Sequence, residues 1–353
     1  MCSAGWPSGS GPRAEGGAIT SAELAERLAR DVARRLGVET VAIEHLRRLA
    51  GGASREIWAF DAVLPGGAVE RLVLRRDPPG HQVHSSRRDE FALLAAAHTA
   101  GLRVPRVRWC EEDAAVLGSP FFVMDFVAGE TLARRLLRDA EYAPARAGLP
   151  GQLAEALAGI HALDARAPEL TFLPRPPADA TPAAAELARH EQLYRAVTLD
   201  PHPALELALR WLAAAPPAPH AEALVHGDFR IGNVIFGPEG LRAVLDWELA
   251  HVGDPLEDLG WLCVRAWRFG ADARPVGGLC QREKFFAAYA RAGGTPVDPA
   301  AVRWWEVFGN LKWAIICVMQ ARSFVDGVRS VELASLGRRV AEMELELLEL
   351  TEA

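Results

Sequence analysis

The sequence predicts an α+β protein with two lobes, and three observations lead to this prediction. The chain has 353 residues, which is long for one simple domain. Short apolar runs bounded by Gly and Pro, which are typical of strands, are concentrated before residue 128. After residue 128, apolar residues recur mostly at helical spacing. We therefore expect an N-terminal mixed α/β lobe with an antiparallel sheet and a larger, mainly helical C-terminal lobe.

The bulk composition excludes several classes of protein. Hydrophobic residues make up 50% of the chain, but no apolar run approaches the length of a membrane span. The net charge of −7 argues against nucleic acid or an anionic membrane as the main partner. The five cysteines are scattered and odd in number, as is typical of reduced thiols, and the N-terminus has no apolar signal segment. We expect a cytoplasmic protein without nucleic-acid or membrane partners.

The first lobe is predicted to span residues 19–127, after a disordered tail of residues 1–18 that is rich in Gly, Ser and Pro. Ser21 is the predicted N-cap of a helix over residues 22–36. The remaining predicted elements are strands at residues 69–76, 104–109 and 121–126 and a helix at residues 86–100.

A small-residue segment lies between the first two predicted strands of this lobe. It contains Gly52, Ala53 and Ser54, whose small side chains let backbone N–H groups approach a phosphate. An ordinary hairpin turn is the alternative. Its position ahead of the other motifs favours a nucleotide-covering loop.

The C-terminal lobe is predicted to span residues 128–353. Residues 166–185 are rich in Pro and Ala and are predicted to form a loop. The predicted helices cover residues 131–139, 152–163, 205–213, 281–292, 300–323 and 331–349.

The segment of residues 224–259 contains the candidate catalytic and metal-binding residues. Its two β-rich runs flank the turn Gly237-Pro-Glu-Gly, which predicts a hairpin. Asp228, Asn233 and Asp246 lie at the open end of this hairpin, where the two strands bring them together. Three oxygen-bearing side chains converging on one point suit hard-cation and hydroxyl chemistry.

The order of these residues matches a phosphoryl-transfer template, in which an Asp, an Asn five residues later and a second Asp form the catalytic and metal-binding site. The segments HGDFRIGN and LDWELAHVGDPLEDLG resemble the catalytic loop and metal-binding segment of the aminoglycoside phosphotransferase family. These are small-molecule kinases with a protein-kinase-like fold. The resemblance implies that Asp228 accepts the proton of a small-molecule hydroxyl, while Asn233 and Asp246 hold Mg²⁺ beneath ATP. It also implies that Asp258 braces the backbone of the catalytic loop.

The same resemblance implies a phosphate-binding strand lysine that pairs with a helix glutamate. Neither of the two lysines of this chain lies in the first lobe. Arg75 is the closest positional match, with Arg76 as the alternative, and strand alternation lets only one of them face the nucleotide. Glu90 is the best candidate partner, with Asp89 second. Arginine can bind phosphate, but it is not interchangeable with lysine.

The strand that ends near residue 126 resembles the hinge segment of the family. The resemblance implies that adenine bonds to the backbone carbonyl of Asp125 and the backbone N–H of Val127. Met124 would then line the floor of the adenine pocket. A plain core role is the alternative for the side chains of Met124 and Val127.

The sequence specifies the molecule that accepts the phosphate less well than it specifies the type of reaction. The VLRRDPPG segment and the run that ends in FFVMDFVAGE look most like the family branch associated with acyl-CoA dehydrogenases. This favours a hydroxylated acyl thioester, and an aminoglycoside-type antibiotic is the alternative. A nucleotide-binding pseudokinase or an interaction module without turnover is a second interpretation, motivated by the missing strand lysine.

Overall fold

The computed structural model of the chain describes residues 19–49, 56–77, 86–328 and 330–352. The predicted tail, residues 1–18, lies outside the described residues, as do Gly52, Ala53 and Ser54 of the predicted nucleotide-covering loop.

The chain forms two compact units. The first consists of Met1–Phe91 and Val107–Phe126, and the second consists of Ala92–Arg106 and Val127–Ala353.

The first unit is built on a five-stranded sheet. Its strand order is β1-β2-β3-β5-β4, and each neighbouring pair is antiparallel. This confirms the antiparallel sheet expected for this part of the chain. The elements are α1 (Ser21–Leu36), β1 (Ala42–Arg48), β2 (Glu56–Val63), β3 (Val69–Arg76), α2 (Arg87–Thr99, of which only the first residues belong to this unit), β4 (Val107–Glu111), α3 (Ala114–Leu117) and β5 (Phe121–Asp125).

Helix α1 packs on this sheet through one apolar face. Thr20, rather than the predicted Ser21, is its N-cap, because Thr20 and Glu23 form a reciprocal capping box that leaves Ser21 inside the first turn. The apolar face contributes to a core cluster that includes Leu24, Leu28, Val32, Trp109 and Phe121.

The second unit is mainly helical, as expected. Its longest helix, α10, buries Trp304, Trp305 and Phe308. Among the described residues, no helix combines the length and apolarity needed to cross a bilayer. The elements are α4 (Ala133–Arg138), α5 (Ala143–His161), α6 (Pro182–Val197), α7 (Pro203–Ala214), β6 (Ala223–Val225), β7 (Val234–Gly237), β8 (Gly240–Val244), β9 (His251–Gly253), α8 (Leu256–Cys263), α9 (Arg282–Arg291), α10 (Pro299–Val325), α11 (Val331–Leu336) and α12 (Val340–Glu352).

Strands β7 and β8 form the predicted hairpin. Val234 pairs with Val244 in the antiparallel ladder, and the turn closes at Gly240. Gly240 has φ of 121°, and a Cβ there would lie 2.0 Å from Oε1 of Gln152. The same Gln152 oxygen accepts a hydrogen bond from the N–H of Leu241 at 2.7 Å. The turn therefore requires glycine and is fixed by helix α5.

Two expectations for the helices were wrong. Helix α6 begins at Pro182, inside the segment predicted as a loop, because Thr181 caps it and proline fits the first helical position. The single C-terminal helix predicted over residues 331–349 is instead two helices. A short 3₁₀ turn that starts at Gly337 separates them, since glycine weakens a helix interior.

Candidate active site

The first unit contains a buried ion-pair network that includes the two arginines considered for phosphate binding. Nε of Arg75 lies 3.0 Å from Oε1 of Glu90. Strand alternation sends Arg76 to the other face, where it pairs with Glu56 at 2.6 Å and donates to the carbonyl of Leu117. Arg75, not Arg76, therefore has the pairing expected of the strand cation.

Sequence reasoning missed a third arginine in this network. Arg87 is fully buried, and its guanidinium pairs with both Glu90 and Asp77, with 3.0 Å separating its Nε from Oδ1 of Asp77. Arg87 and Glu90 are three residues apart on α2, a spacing that places them on one helix face. That spacing was visible in the sequence, but the burial of Arg87 was not. Glu90 thus lies between two guanidinium groups.

The residues predicted to contact adenine lie at and after the end of β5. Met124 is buried and lies opposite Val73 in the sheet. Asp125 lies opposite Leu72, and its carboxylate pairs with Arg108. Val127 belongs to the second unit. The contact of these residues with adenine remains a prediction.

In the second unit, Asp228 lies on the loop that follows β6. Its Oδ1 accepts hydrogen bonds from Nε of Arg230 at 3.0 Å and from the indole N–H of Trp261 at 2.8 Å. Its Oδ2 accepts from Nδ2 of Asn233 at 2.5 Å, and the same amide group donates to the Asp228 carbonyl at 2.9 Å. Asp228 and Asn233 are therefore in direct contact.

The preceding glycine is required by the path of this loop. Gly227 has φ of 78°, and a Cβ there would lie 2.4 Å from the carbonyl oxygen of Leu249. A larger residue would collide with backbone and shift the adjacent Asp228.

Asp246 is brought to the same place by the hairpin. The N–H of Leu245 donates to the carbonyl of Asn233 at 2.8 Å, which holds the residue before Asp246 against the last residue of the catalytic loop. Asp246 has φ of 65°, in the left-handed region that few non-glycine residues adopt. Such conformations cluster at functional sites.

His226 connects the catalytic loop to the strand end before Asp246. Its ring is hydrogen-bonded to the carbonyl of Leu245 through Nε2 at 3.1 Å and accepts from the N–H of Asp228 through Nδ1 at 3.2 Å. These contacts define a neutral ring with its proton on Nε2. Burial lowers the pKa of His226, which is consistent with that neutral form.

Asp258 holds the backbone of the catalytic loop. Its carboxylate accepts from the N–H groups of His226 and Gly227 at 2.8 and 2.9 Å, which is the contact that the family resemblance implied. His161, at the end of α5, lies 3.1 Å from the same carboxylate. Burial by itself would raise the pKa of Asp258, but the hydrogen bond and charge of His161 hold it below its ordinary value. No sequence pattern links His161 to Asp258, because the two residues are 97 positions apart in the chain.

Behind this loop lies a second cluster of ionisable groups. Ligand atoms of Glu186, His251 and Glu257 lie within 4.8 Å of one another, a spacing that a metal ion could bridge. The carboxylates are already bound, however: Glu186 by Arg189 at 2.6 Å and Glu257 by Lys312 at 3.1 Å. The cluster is therefore an ion-pair network.

The stability of the protein is expected to fall as pH rises from about 6.5 to 9, because of His251. Burial by itself opposes protonation, but the carboxylates of Glu257 and Glu186 raise the pKa of His251 to about 9. Because the folded pKa lies above the unfolded value of about 6.5, this stabilisation is complete below pH 6.5 and lost by pH 9. The expected loss is about 3 kcal/mol of unfolding free energy.

Chemical denaturation at pH 6, 7, 8 and 9 measures this effect, and His251→Gln should flatten the profile. Neighbouring His190 contributes little above pH 7, because burial lowers its folded pKa to about 3 and an unfolded histidine, with a pKa of about 6.5, is mostly neutral there. An unchanged slope in His251→Gln would contradict the assignment.

The comparison with protein families settles which class of protein carries this site. A model described as the phosphotransferase enzyme family (APH) matches residues 45–305, which is most of the chain. The chain belongs to this family.

Sequence relatives of this phosphotransferase include members 10 and 11 of the acyl-CoA dehydrogenase family, which confirms the predicted resemblance to that branch. Acyl-CoA dehydrogenase family member 10 of Mus musculus is 33% identical over 208 residues. The match covers 56% of this chain and 18% of that protein, so the phosphotransferase corresponds to only part of its relative.

Solved structures share the fold of the phosphotransferase. A candidate aminoglycoside phosphotransferase from Ralstonia eutropha is 22% identical, with a TM-score of 0.74 over 93% of this chain and 98% of that chain. A thermostable mutant of aminoglycoside phosphotransferase APH(4)-Ia, solved with AMP-PNP and hygromycin B, is 19% identical, with a TM-score of 0.60 over 93% and 98%. These matches confirm the kinase-like α+β fold.

Proposed function

We propose that this phosphotransferase transfers the terminal phosphate of ATP to a hydroxyl group of a small molecule, with Mg²⁺ as the metal. The observation that supports the proposal most directly is the contact between Asp228 and Asn233 at the open end of a hairpin whose other strand leads to Asp246, since the residue before Asp246 bonds to the Asn233 carbonyl. These are the residue types, in the order, that phosphoryl transfer uses to orient a hydroxyl and hold a metal.

Asp228 orients the acceptor hydroxyl and accepts its proton. A carboxylate has about four acceptor positions. Among the described residues, three donors occupy positions on Asp228: Arg230, Trp261 and Asn233. One position therefore remains for the acceptor, and its direction is fixed by the other three bonds. This is the preorganised geometry that a general base requires.

Asn233 and Asp246 fit a magnesium ion by their chemistry. Because Nδ2 of Asn233 donates to Asp228, the amide presents its carbonyl oxygen as the remaining polar atom. That oxygen and the carboxylate of Asp246 are the hard donors that Mg²⁺ prefers. When bound, Mg²⁺ supplies charge neutralisation to the phosphate oxygens.

In the first unit, Arg75 takes the role that lysine has in the resembling kinases. Glu90 orients it, and Arg87 on the other side of Glu90 holds that carboxylate in place. A guanidinium can bind two phosphate oxygens at once. The ordered Arg75–Glu90 pair weighs against the pseudokinase alternative, which rests on the missing lysine alone.

The acceptor that we propose is a hydroxylated acyl thioester. The sequence relatives in the acyl-CoA dehydrogenase family support this class. A polycationic antibiotic, the alternative, needs carboxylates that are available to bind it. Several acids of the C-terminal helices are already paired: Glu306 is buried against two arginines, Glu342 binds an arginine and Glu344 binds a histidine.

Calorimetry with ATP, with and without Mg²⁺, tests the proposed function. Binding that depends on Mg²⁺ would support it, and a screen of hydroxyacyl-CoA and aminoglycoside pools for ATP-dependent phosphorylation would then identify the acceptor. Absence of ATP binding under both conditions would overturn the kinase proposal. Binding without phosphorylation of any acceptor would favour the pseudokinase alternative.

Asp246→Asn is expected to weaken binding of ATP in the presence of Mg²⁺ by at least about tenfold. Asparagine tolerates the left-handed backbone of this position, so the substitution removes the charge and leaves the loop unchanged. Calorimetry measures the change, and the Mg²⁺-free titration is the control, because it should be unaffected. Equal affinities of the variant and the unmodified protein for Mg²⁺-ATP would exclude a metal role for Asp246.

A further inference from the structure

Lys312 is one of only two lysines in the chain, and it is buried behind the catalytic loop. Its side chain, on α10, is 3% exposed. Nζ donates to the carbonyl of Gly227 at 3.0 Å and to Oε1 of Glu257 at 3.1 Å. It also lies 4.8 Å from the ring centre of Trp261. The mechanism proposed above makes no use of this charge.

Two of these contacts lead to Asp228. The Gly227 carbonyl belongs to the peptide bond that joins Gly227 to Asp228, and because that bond is planar, holding its oxygen also fixes the nitrogen of Asp228. Trp261 donates its indole N–H to Oδ1 of Asp228, so an ammonium against the Trp261 ring fixes the donor. Lys312 is therefore linked to the backbone of Asp228 through the Gly227 carbonyl and to the side chain of Asp228 through Trp261.

The ion-pair network described above keeps Lys312 in place. Glu257 bonds to Lys312 through Oε1 and to His251 through Oε2, 3.1 Å away in each case. The charge of Glu257 compensates a cation that would otherwise be costly to bury. The position of the ammonium is thus set by Glu257 on α8 and, through it, by His251 on β9, both of which follow the catalytic loop in the chain.

We propose that Lys312 is a positioning residue for Asp228. It holds the peptide bond before Asp228 and the Trp261 ring in one arrangement, so that the carboxylate meets the acceptor hydroxyl at a fixed angle. This inference rests on the proposed function, since it assigns Lys312 a part in that reaction.

The kinetic test is Lys312→Met, which removes the charge and keeps an unbranched side chain only one atom shorter. Misplacing a reacting group by about 1 Å can cost on the order of 100-fold in rate, so we expect kcat to fall by about that factor. Affinity for Mg²⁺-ATP should change by less than about twofold, because Asp246 and Asn233 are left unchanged. The matched control is Lys284→Met, since Lys284 is the other lysine and is exposed. Its kcat should equal that of the unmodified protein.

Lys312→Met leaves the carboxylate of Glu257 with one cation fewer, and the variant could lose stability for that reason. The double variant Lys312→Met/Glu257→Gln restores the charge balance and still lacks the bond to Gly227. A folded double variant with low kcat and normal Mg²⁺-ATP affinity would support positioning. Unmodified kcat in either folded variant would overturn it.

A second measurement needs no turnover. With only two lysines, protein labelled with ¹³C at lysine Cε gives one side-chain signal for Lys312 and one for Lys284. Asp228→Asn should shift the Lys312 signal and leave that of Lys284 unchanged. An unchanged chemical shift of Lys312 in Asp228→Asn would overturn the proposed link between Lys312 and Asp228. If the unmodified protein fails to bind Mg²⁺-ATP, the proposed function fails, and this signal still decides whether Lys312 responds to Asp228.

Discussion

Asp228→Ala is expected to lower phosphoryl transfer by about 10²- to 10⁴-fold, the range typical of a lost general acid or base. The substitution removes the carboxylate that, in the proposed function, orients the acceptor hydroxyl and accepts its proton. It also removes the acceptor of three donors: Arg230, Trp261 and Asn233. ADP release in the presence of the acceptor found in the screen measures the change.

Asp228→Asn separates loss of the proposed base from loss of the hydrogen-bond acceptor for Arg230, Trp261 and Asn233. It keeps the shape and one oxygen for the donors, but it is not a base, so its kcat should also be low. Both variants should retain the circular dichroism of the unmodified protein and its affinity for ATP. Asp326→Asn, at an exposed ion pair at the end of α10, is the control and should have normal activity. Turnover within tenfold of normal in both Asp228 variants would rule out Asp228 as the base.

Arg87→Met is expected to destabilise the protein by about 3–5 kcal/mol, the usual cost of removing one partner from a buried ion pair. Arg87 is fully buried and is paired with Glu90 and Asp77, so its loss leaves two buried carboxylates with less compensating charge. Because Glu90 also orients Arg75, we expect weaker ATP binding in the same variant. Urea denaturation and calorimetry measure the two effects.

Arg88 offers a matched control for this substitution. It is the next residue on α2, its side chain is 72% exposed, and its partner Glu112 is exposed as well. Arg88→Met should change the unfolding free energy by less than about 1 kcal/mol. The double variant Arg87→Met/Glu90→Gln tests the electrostatic origin, since neutralising Glu90 should recover part of the loss. Equal stabilities of Arg87→Met and Arg88→Met would contradict the role of the buried network.

The features that the sequence predicted well are those with a local physical cause. Strand β3 was predicted with its observed bounds because apolar residues and turn signals delimit it. The hairpin at Gly237–Gly240 followed from turn residues between two β-rich runs. Asp228 and Asn233 are five positions apart in the loop that leads into this hairpin, so their contact is local in sequence.

The features that the sequence did not predict depend on contacts between distant segments. Lys312 lies 85 positions from Gly227, and His161 lies 97 positions from Asp258. No periodicity or motif links such residues, because the contacts exist only once the helices have packed. Arg75 and Arg76 could not be separated for a related reason: alternation shows that they face opposite ways, but not which face carries Glu90.

The left-handed backbone of Asp246 restricts which amino acids this position can accept. A positive φ favours glycine, asparagine and aspartate, whereas the anionic metal ligand that we propose for this position requires aspartate or glutamate. Aspartate is the one residue that belongs to both sets. Substitution at this position therefore loses either the left-handed loop conformation or the negative charge. When all twenty amino acids are tested at position 246 for phosphoryl transfer, we expect only aspartate to give normal activity.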